Sequence, residues 1–216
     1  TSFDCTNDIN SDYHLNKCPA TGATITITGL YFDQTGSTTK SVQIGGVACP
    51  HTSWTSTQIV CTLPAGIGGN HVVNVTAENG ISNAQVPPRL LSFTPPTITG
   101  ISPSPGTPQG VTTTFTGTNF GTTSSTISIT IGGQACTQVT WVSNTEVQAM
   151  TPAGSGGNHA VVINVGQDST SSPAFSYKAP VITNIIPSLA GGQMVIQGDE
   201  FAISGVFTVV AKDRST

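Results

Sequence analysis

The sequence contains very little charge. Charged residues make up 7% of its 216 residues, and only six of them are Lys or Arg, whereas a soluble globular domain usually carries about 25% charged residues. So few cations cannot form the basic surface that a phosphate backbone requires, and this excludes a nucleic-acid-binding protein. The polarity is supplied instead by Thr, Ser, Asn, Gln and 24 Gly.

Long apolar runs and long runs of good helix formers are absent as well. No apolar run approaches the roughly 20 residues of a membrane-spanning helix, so no membrane span is expected in this segment. The apolar residues are biased towards Val and Ile, which suit strands, and this predicts an all-β fold. The N-terminal Thr1-Ser2-Phe3 lacks a Met and the features of a signal peptide, so we expect a mature or excised N-terminus.

The sequence also lacks catalytic and metal-binding motifs, since no His-x-x-x-His or Gly-x-Ser-x-Gly pattern occurs. His71 and His159 each follow Gly-Gly-Asn without an acidic or Cys partner nearby, which favours a structural turn residue over a ligand. Asp4, Asp8 and Asp12 alternate, but no calcium loop with a terminal Glu follows. We therefore predict no catalytic residue, no cofactor and no metal site, and a chain that is not an enzyme.

What the sequence does contain is an internal repeat. Two complete copies are followed by the opening part of a third, which stops before its Gly-Gly and Pro-Ala-Gly elements. Trp54 and Trp141 follow the first matched segment at the same interval, so they are predicted to be buried core residues rather than sugar-stacking platforms. The matched segments are residues 44–49 with 131–136, residues 64–71 with 152–159, and three Gly-x-x-Phe elements ending at Phe32, Phe120 and Phe201.

Each copy has the pattern of a β-sandwich. Apolar residues alternate along the predicted strands, as Ile25 and Ile27 do, and glycine-rich turns separate these strands. Proline-rich segments, from Pro87-Pro88 to Pro95-Pro96 and at Ala179-Pro180, mark the boundaries and stiffen the joints. The predicted organisation is a rod with a first sandwich over residues 1–94, a second over 95–179 and a partial third repeat over 180–216.

The order of these elements identifies a family. Ile-x-Pro-x-x-Gly, Gly-x-x-Phe, Ile-Gly-Gly-x-x-Cys, a Trp and Pro-Ala-Gly-x-Gly-Gly together resemble the IPT/TIG domain, the immunoglobulin-like module of plexins and growth-factor receptors. The resemblance covers nearly the whole chain and implies tandem immunoglobulin-like β-sandwiches. The first copy departs from the pattern at its start, where the segment from Cys5 to Cys18 replaces the Ile-x-Pro opening.

The five cysteines indicate an oxidising compartment, because they contain no metal-type Cys-x-x-Cys pair. The odd cysteine, Cys136, is expected to be a buried, unpaired thiol rather than one that pairs with another chain. The second copy lacks its bridge because Ala149 stands where a second cysteine would be. The predicted disulfides are Cys5 with Cys18 and Cys49 with Cys61.

Two places in the sequence predict covalent glycans. Asn74 lies in the only Asn-x-Ser/Thr sequon and alternates with Val73 and Val75, so it should face water and accept an N-linked glycan. The run Ser102-Pro103-Ser104-Pro105 resembles the Ser-Pro motifs on which plant and algal proteins carry hydroxyproline-linked sugars. The alternative for this run is a stiff linker.

These features predict a non-catalytic, secreted or cell-surface protein with a structural or adhesive role. The partial third repeat supplies early strands, such as residues 194–197 and 206–210, without the later ones. Left alone these strands would expose apolar faces and unpaired edges, so we expect protein partners or self-association, including a head-to-tail fibre. The alternative is a carbohydrate-binding accessory region of a larger secreted enzyme or a receptor ectodomain.

Overall fold

The computed structural model describes residues 6–7, 14–20, 22–33, 40–77, 90–122, 127–166, 168–186 and 194–201. Every regular element within these ranges is a β-strand, so the all-β prediction is confirmed. The first module contains β1 (Thr6–Asn7), β2 (His14–Cys18), β3 (Thr24–Thr28), β4 (Ser41–Ile44), β5 (Val47–Ala48), β6 (His51–Trp54), β7 (Gln58–Thr62), β8 (His71–Thr76) and β9 (Leu90–Phe93). The second module contains β10 (Thr97–Ser102), β11 (Thr112–Thr118), β12 (Ile127–Ile131), β13 (Gln134–Ala135), β14 (Thr137–Ser143), β15 (Glu146–Met150), β16 (His159–Val165) and β17 (Asp168–Phe175). A final pair, β18 (Val181–Ile186) and β19 (Val195–Asp199), begins the third repeat.

The second module is the complete sandwich. Its strands form two four-stranded sheets in the orders β10-β11-β15-β14 and β13-β12-β16-β17. Alternation places Ile127, Ile129 and Ile131 of β12 in the interior, where they pack with the fully buried Phe115 and Phe175. Packing one apolar face from each sheet in this way removes these side chains from water and holds the two layers together.

The first module repeats this arrangement but lacks one edge strand among its described residues. Its sheets have the orders β3-β7-β6 and β1-β2-β9-β8-β4-β5, with a separate core around Ile59, Leu63 and Leu91. Strand β3 corresponds to β11, since Ile25 pairs with Cys61 as Thr113 pairs with Ala149. No described strand of the first module takes the place that β10 has beside β11, so β3 is the outermost described strand of its sheet.

The atypical N-terminal segment instead supplies a strand to the opposite sheet. Strand β2 pairs in parallel with β9, and the second module has a single parallel bridge, between Gly106 and Tyr177, at the same place. The carbonyl of Cys18 accepts a hydrogen bond from the Thr94 amide at 2.8 Å, as the carbonyl of Gly106 does from the Lys178 amide. The cysteine-containing segment therefore replaces the later part of the usual opening strand.

The glycine of the Gly-x-x-Phe element is explained by a close strand crossing. A Cβ atom at Gly117 would collide with the carbonyl oxygen of Thr97, and one at Gly198 would collide with that of Val181. The pairing of Ile182 with Gly198 matches that of Ile98 with Gly117, and a register shift follows each. The final hairpin thus begins a third copy of the module, although β19 begins at Val195 and ends at Asp199 rather than spanning residues 194–197. Residues 206–210 lie outside the described residues.

The two tryptophans predicted to be core residues are partly buried. Trp54 and Trp141 occupy equivalent sites, but both are half-buried and pack against the rim of their cores. The indole N–H of Trp54 donates to the carbonyl of Phe32 at 2.7 Å, and that of Trp141 donates to the carbonyl of Gly121 at 3.0 Å. An indole keeps its polar edge where a carbonyl can reach it, which places the ring at the rim.

Candidate interaction surfaces

The described residues contain no group of three or more His, Cys, Asp or Glu side chains that could hold a metal ion. Asp4, Asp8 and Asp12 lie outside the described ranges. Within those ranges the structure also has no helix long and apolar enough to cross a membrane.

The two repeated histidines tie a loop to the body of each module. Nε2 of His71 lies 2.8 Å from the carbonyl oxygen of Ile67, and Nε2 of His159 lies 2.8 Å from that of Ser155. The rings meet Phe93 and Tyr177 edge to face, with centroids 5.4 Å apart in both modules. These contacts assign the histidines a structural role in holding the Pro-Ala-Gly-x-Gly-Gly loop.

The cysteines differ between the two modules. Cys49 and Cys61 form a disulfide with their Cα atoms 5.6 Å apart. Cys18 is also disulfide-bonded, while Cys5, its predicted partner, lies outside the described residues. Cys136 is a free, buried thiol, and burial raises its pKa to about 11. A thiol with so high a pKa is protonated and unreactive at neutral pH.

Both predicted glycan positions lie on the surface. Asn74 is exposed on β8 between the buried Val73 and Val75, so the sheet does not obstruct a glycan there. The run Ser102-Pro103-Ser104-Pro105 is exposed too, but it is not a linker between modules. It lies within the second module, where the chain leaves β10 and crosses to the bridge at Gly106.

The joint between the two modules contains an apolar contact that the sequence patterns did not predict. Ile67, at the tip of the Pro-Ala-Gly loop, packs against the core of the second module. A Cβ atom at Gly121 would lie 2.7 Å from Cγ2 of Ile67, and one at Gly166 would lie 3.1 Å from its Cδ1. The repeat places Ser155 at the position of Ile67, and this difference between copies is the signal that points to the contact.

An open groove of about 540 Å³ borders this joint. Its walls are mainly backbone, because five of the lining residues are glycines. It contains no Trp, Tyr or Phe on which a sugar ring could stack. The lining residues are Gly45, Gly46, Ile67, Gly68, Gly69, Asn70, His71, Val72 and Gly166.

Most of the large apolar side chains that are exposed in the described part of the chain belong to the third repeat. We call β18, β19 and the adjacent Met194 the tail hairpin. All six residues of β18 are exposed, and six large apolar side chains of the hairpin are between 45% and 55% exposed. Monomeric soluble proteins rarely leave a continuous apolar patch uncovered unless it binds something. These side chains are Val181, Ile182, Ile185, Ile186, Met194 and Val195.

A second exposed apolar site lies at the opposite end of the chain, beside the edge strand β3. We call Gly29–Phe32 the head corner, because the chain turns there on leaving β3. Leu30 is 68% exposed and Tyr31 is 73% exposed. Neither residue was singled out by sequence, although comparison with Thr118 and Asn119 in the second copy marks both as unusual.

Comparison with known proteins finds the same module in larger proteins. The IPT/TIG domain profile matches residues 11–90 and 96–178. Fibrocystin-L of Homo sapiens is 31% identical over 188 residues, which is 83% of this chain and 4% of the human protein. Fibrocystin-L of Mus musculus is 34% identical over 162 residues, which is 71% of this chain and 4% of the mouse protein. The chain therefore spans a small fraction of the curated relatives that it matches.

Solved structures give more distant matches. The extracellular region of plexin A4, with domains 1 to 8, has a TM-score of 0.39 and 21% identity over 75% of this chain and 17% of the plexin chain. The surface glycan-binding protein PbSGBP-B from Prevotella bryantii has a TM-score of 0.48 and 14% identity, over 77% of this chain and 39% of that protein.

Proposed function

The chain belongs to the IPT/TIG domain family, and we propose that it is a non-catalytic, extracellular structural or adhesive segment that self-associates through its ends. The proposed organisation is a rod made of residues 1–94, residues 95–179 and a third repeat that begins at residue 180. The observation that carries this proposal is the exposed tail hairpin.

The disulfides support an extracellular location. Cys49 is bridged to Cys61, and Cys18 is disulfide-bonded as well. Structural disulfides form and persist in oxidising compartments and are rare in the cytosol. The exposed positions of Asn74 and of Ser102-Pro103-Ser104-Pro105 allow covalent glycans without disturbing either sheet. We therefore propose a secreted or cell-surface glycoprotein.

The tail hairpin supports protein contact as the function. Among the described residues, β18 and β19 pair only with each other, so the described part of the hairpin has two open edges as well as exposed apolar side chains. Such edges readily pair with another protein chain. A hairpin that docks on a different surface of a second copy makes a heterologous contact, which builds a filament if it does not close into a ring.

A carbohydrate-binding accessory role is the weaker alternative. The groove at the joint is lined by glycine backbone and has no Trp, Tyr or Phe. The two tryptophans of the chain are half-buried and use their indole N–H groups within their own modules. No described surface thus presents a tryptophan platform for a sugar.

Sedimentation velocity over a concentration series tests the proposal. We expect the chain to associate, and we expect Ile185→Asp in the tail hairpin to abolish association because it places a charge in the contact. Val142→Asp is the matched control, since Val142 is another exposed β-strand residue, in the second module. An Ile185→Asp chain that associates as strongly as the wild type would refute a role for the hairpin.

A further inference from the structure

The sequon of the first module lies next to the open groove at the joint. Asn74 is exposed on β8, and Val72, two residues earlier on the same strand, is part of the wall of the groove. Alternate residues of a strand share one face of the sheet, so both side chains leave β8 on the side away from the core, about 7 Å apart along the strand. A sugar attached to Asn74 therefore begins beside the groove.

The groove has chemistry that a carbohydrate can use. Val72 is 38% exposed, and an apolar side chain of this kind can pack against the C–H face or the acetyl methyl group of a sugar. The glycine-rich walls expose backbone amide and carbonyl groups, to which sugar hydroxyls can hydrogen-bond. The volume of about 540 Å³ lies within the range of about 300–1,000 Å³ for pockets that hold small ligands. The groove can therefore hold sugar rings.

A glycan that is already attached to the chain needs no aromatic platform. The groove lacks Trp, Tyr and Phe, which makes it a poor site for free carbohydrate. A ligand on a short tether has an effective concentration in the millimolar range, so contacts too weak to hold a free sugar are sufficient. The occupant that suits this groove is therefore the chain's own glycan rather than a soluble saccharide.

A glycan in this groove would contact both modules. Gly166 belongs to the turn between β16 and β17 of the second module, whereas the other lining residues belong to the first. A Cβ atom at Gly166 would lie 3.1 Å from Cδ1 of Ile67, so the groove borders the apolar contact that joins the modules. Sugars at this place would extend that contact on its open side.

The two copies differ at the positions concerned. Val162 stands in the second module at the position of Asn74, and Ala160 stands at that of Val72. The second module therefore has neither the sequon nor the larger exposed apolar side chain. Both features occur together in the module whose loop packs against its successor through Ile67.

We propose that the N-linked glycan of Asn74 folds back into the groove at the joint and stabilises the orientation of the two modules. This inference rests on the glycosylation proposed above and gives that glycan a structural role. Its innermost sugars contact Val72 in one module and Gly166 in the other, so the glycan braces the joint beside Ile67. Removal of the glycan loosens the joint and leaves the fold of each module intact.

Nuclear magnetic resonance of the chain secreted by a eukaryotic host, with ¹³C in its glycan, observes the contact directly. We expect nuclear Overhauser contacts from the acetyl methyl group of the innermost sugar to protons of Val72 and Gly166. Val72→Ala copies Ala160 and should lose the contact with Gly166, because the apolar wall that holds the sugar is removed. Val47→Ala is the matched control and should keep both contacts, since Val47 is an exposed valine of the first module that does not line the groove.

Spin labels on the two modules test the bracing itself. Enzymatic removal of the glycan should broaden the distribution of distances between the labels in the wild type and in Val47→Ala, but not in Val72→Ala. Asn74→Gln should match the deglycosylated wild type. A glycan without contacts to the groove, or a distribution that is the same with and without it, would overturn the inference while the proposed glycoprotein stands. A mass spectrum that shows Asn74 bare in every molecule would refute the glycoprotein and this inference together.

Discussion

The second module lacks one of the two cysteines that form the disulfide of the first module. A single substitution should therefore introduce the equivalent disulfide into the second module. Ala149 pairs with Thr113 in the register in which Cys61 pairs with Ile25. The Cys136 amide donates to the carbonyl of Ile129 at 2.8 Å, as the Cys49 amide does to that of Val42. Ala149→Cys should therefore place a second thiol where Cys136 can bond to it.

The size of the effect follows from the loop that the new bridge closes. Cys136 and residue 149 are thirteen positions apart, against twelve for Cys49 and Cys61. Closing a loop of this length stabilises a domain by about 3 kcal/mol in the chain-entropy account. For a module of this size that corresponds to a rise of roughly 10–20 °C in the Tm of the second module.

Thermal unfolding with and without reductant measures the rise in Tm, and thiol titration shows whether the new disulfide has formed. The oxidised Ala149→Cys variant should show no free thiol and a Tm that falls on reduction. Ala149→Ser is the control, because it changes the same buried site without allowing a bridge. If the variant is exposed to oxidant, then unfolded, and still shows two titratable thiols, the two modules are not equivalent at this position.

Three further predictions concern the joint, the free thiol and the sequon. Ile67→Ser copies Ser155 and removes the apolar contact with Gly121, so distances between spin labels on the two modules should become more widely distributed. An unchanged distribution would mean that the linker alone sets the orientation of the modules. Burial raises the pKa of Cys136 from 9.0 to about 11, so the folded module holds a proton that the unfolded chain loses between these values. Stability should therefore fall as pH rises from 9 towards 11 more steeply in the wild type than in Cys136→Ala, as measured by urea unfolding, and equal slopes would contradict the assignment. Asn74 should carry a glycan in protein taken from its natural source, where a bare Asn74 in the mass spectrum would count against the extracellular glycoprotein.

The repeat pattern was sufficient to predict the fold. Alternation at residues such as Ile25 and Ile27 and the recurrence of Ile-Gly-Gly and Pro-Ala-Gly indicated tandem β-sandwiches, because each module must bury one face of both its sheets. The same pattern could not show how deeply Trp54 and Trp141 are buried. That depth depends on which carbonyl the indole N–H reaches, and the repeat pattern does not reveal that these are the carbonyls of Phe32 and Gly121.

The interaction surfaces depend on the differences between copies, which a search for similarity passes over. Ile67 differs from Ser155, and Leu30-Tyr31 differ from Thr118-Asn119, at positions where the backbone is the same. Whether such a residue is covered or exposed depends on which module lies beside it. The neighbouring module is in turn determined by the path of the chain between modules. Sequence alone could not show that one of these sites is covered by the next module and the other is exposed.

Head-to-tail association through the two ends of the chain can be observed directly. Negative-stain electron microscopy of the wild-type chain over a concentration series, beside Ile185→Asp, provides that test. We expect rods joined end to end into unbranched strings or closed rings in the wild type and single rods in the variant. Single rods in both at every concentration, or side-by-side pairs that the variant also forms, would contradict head-to-tail association.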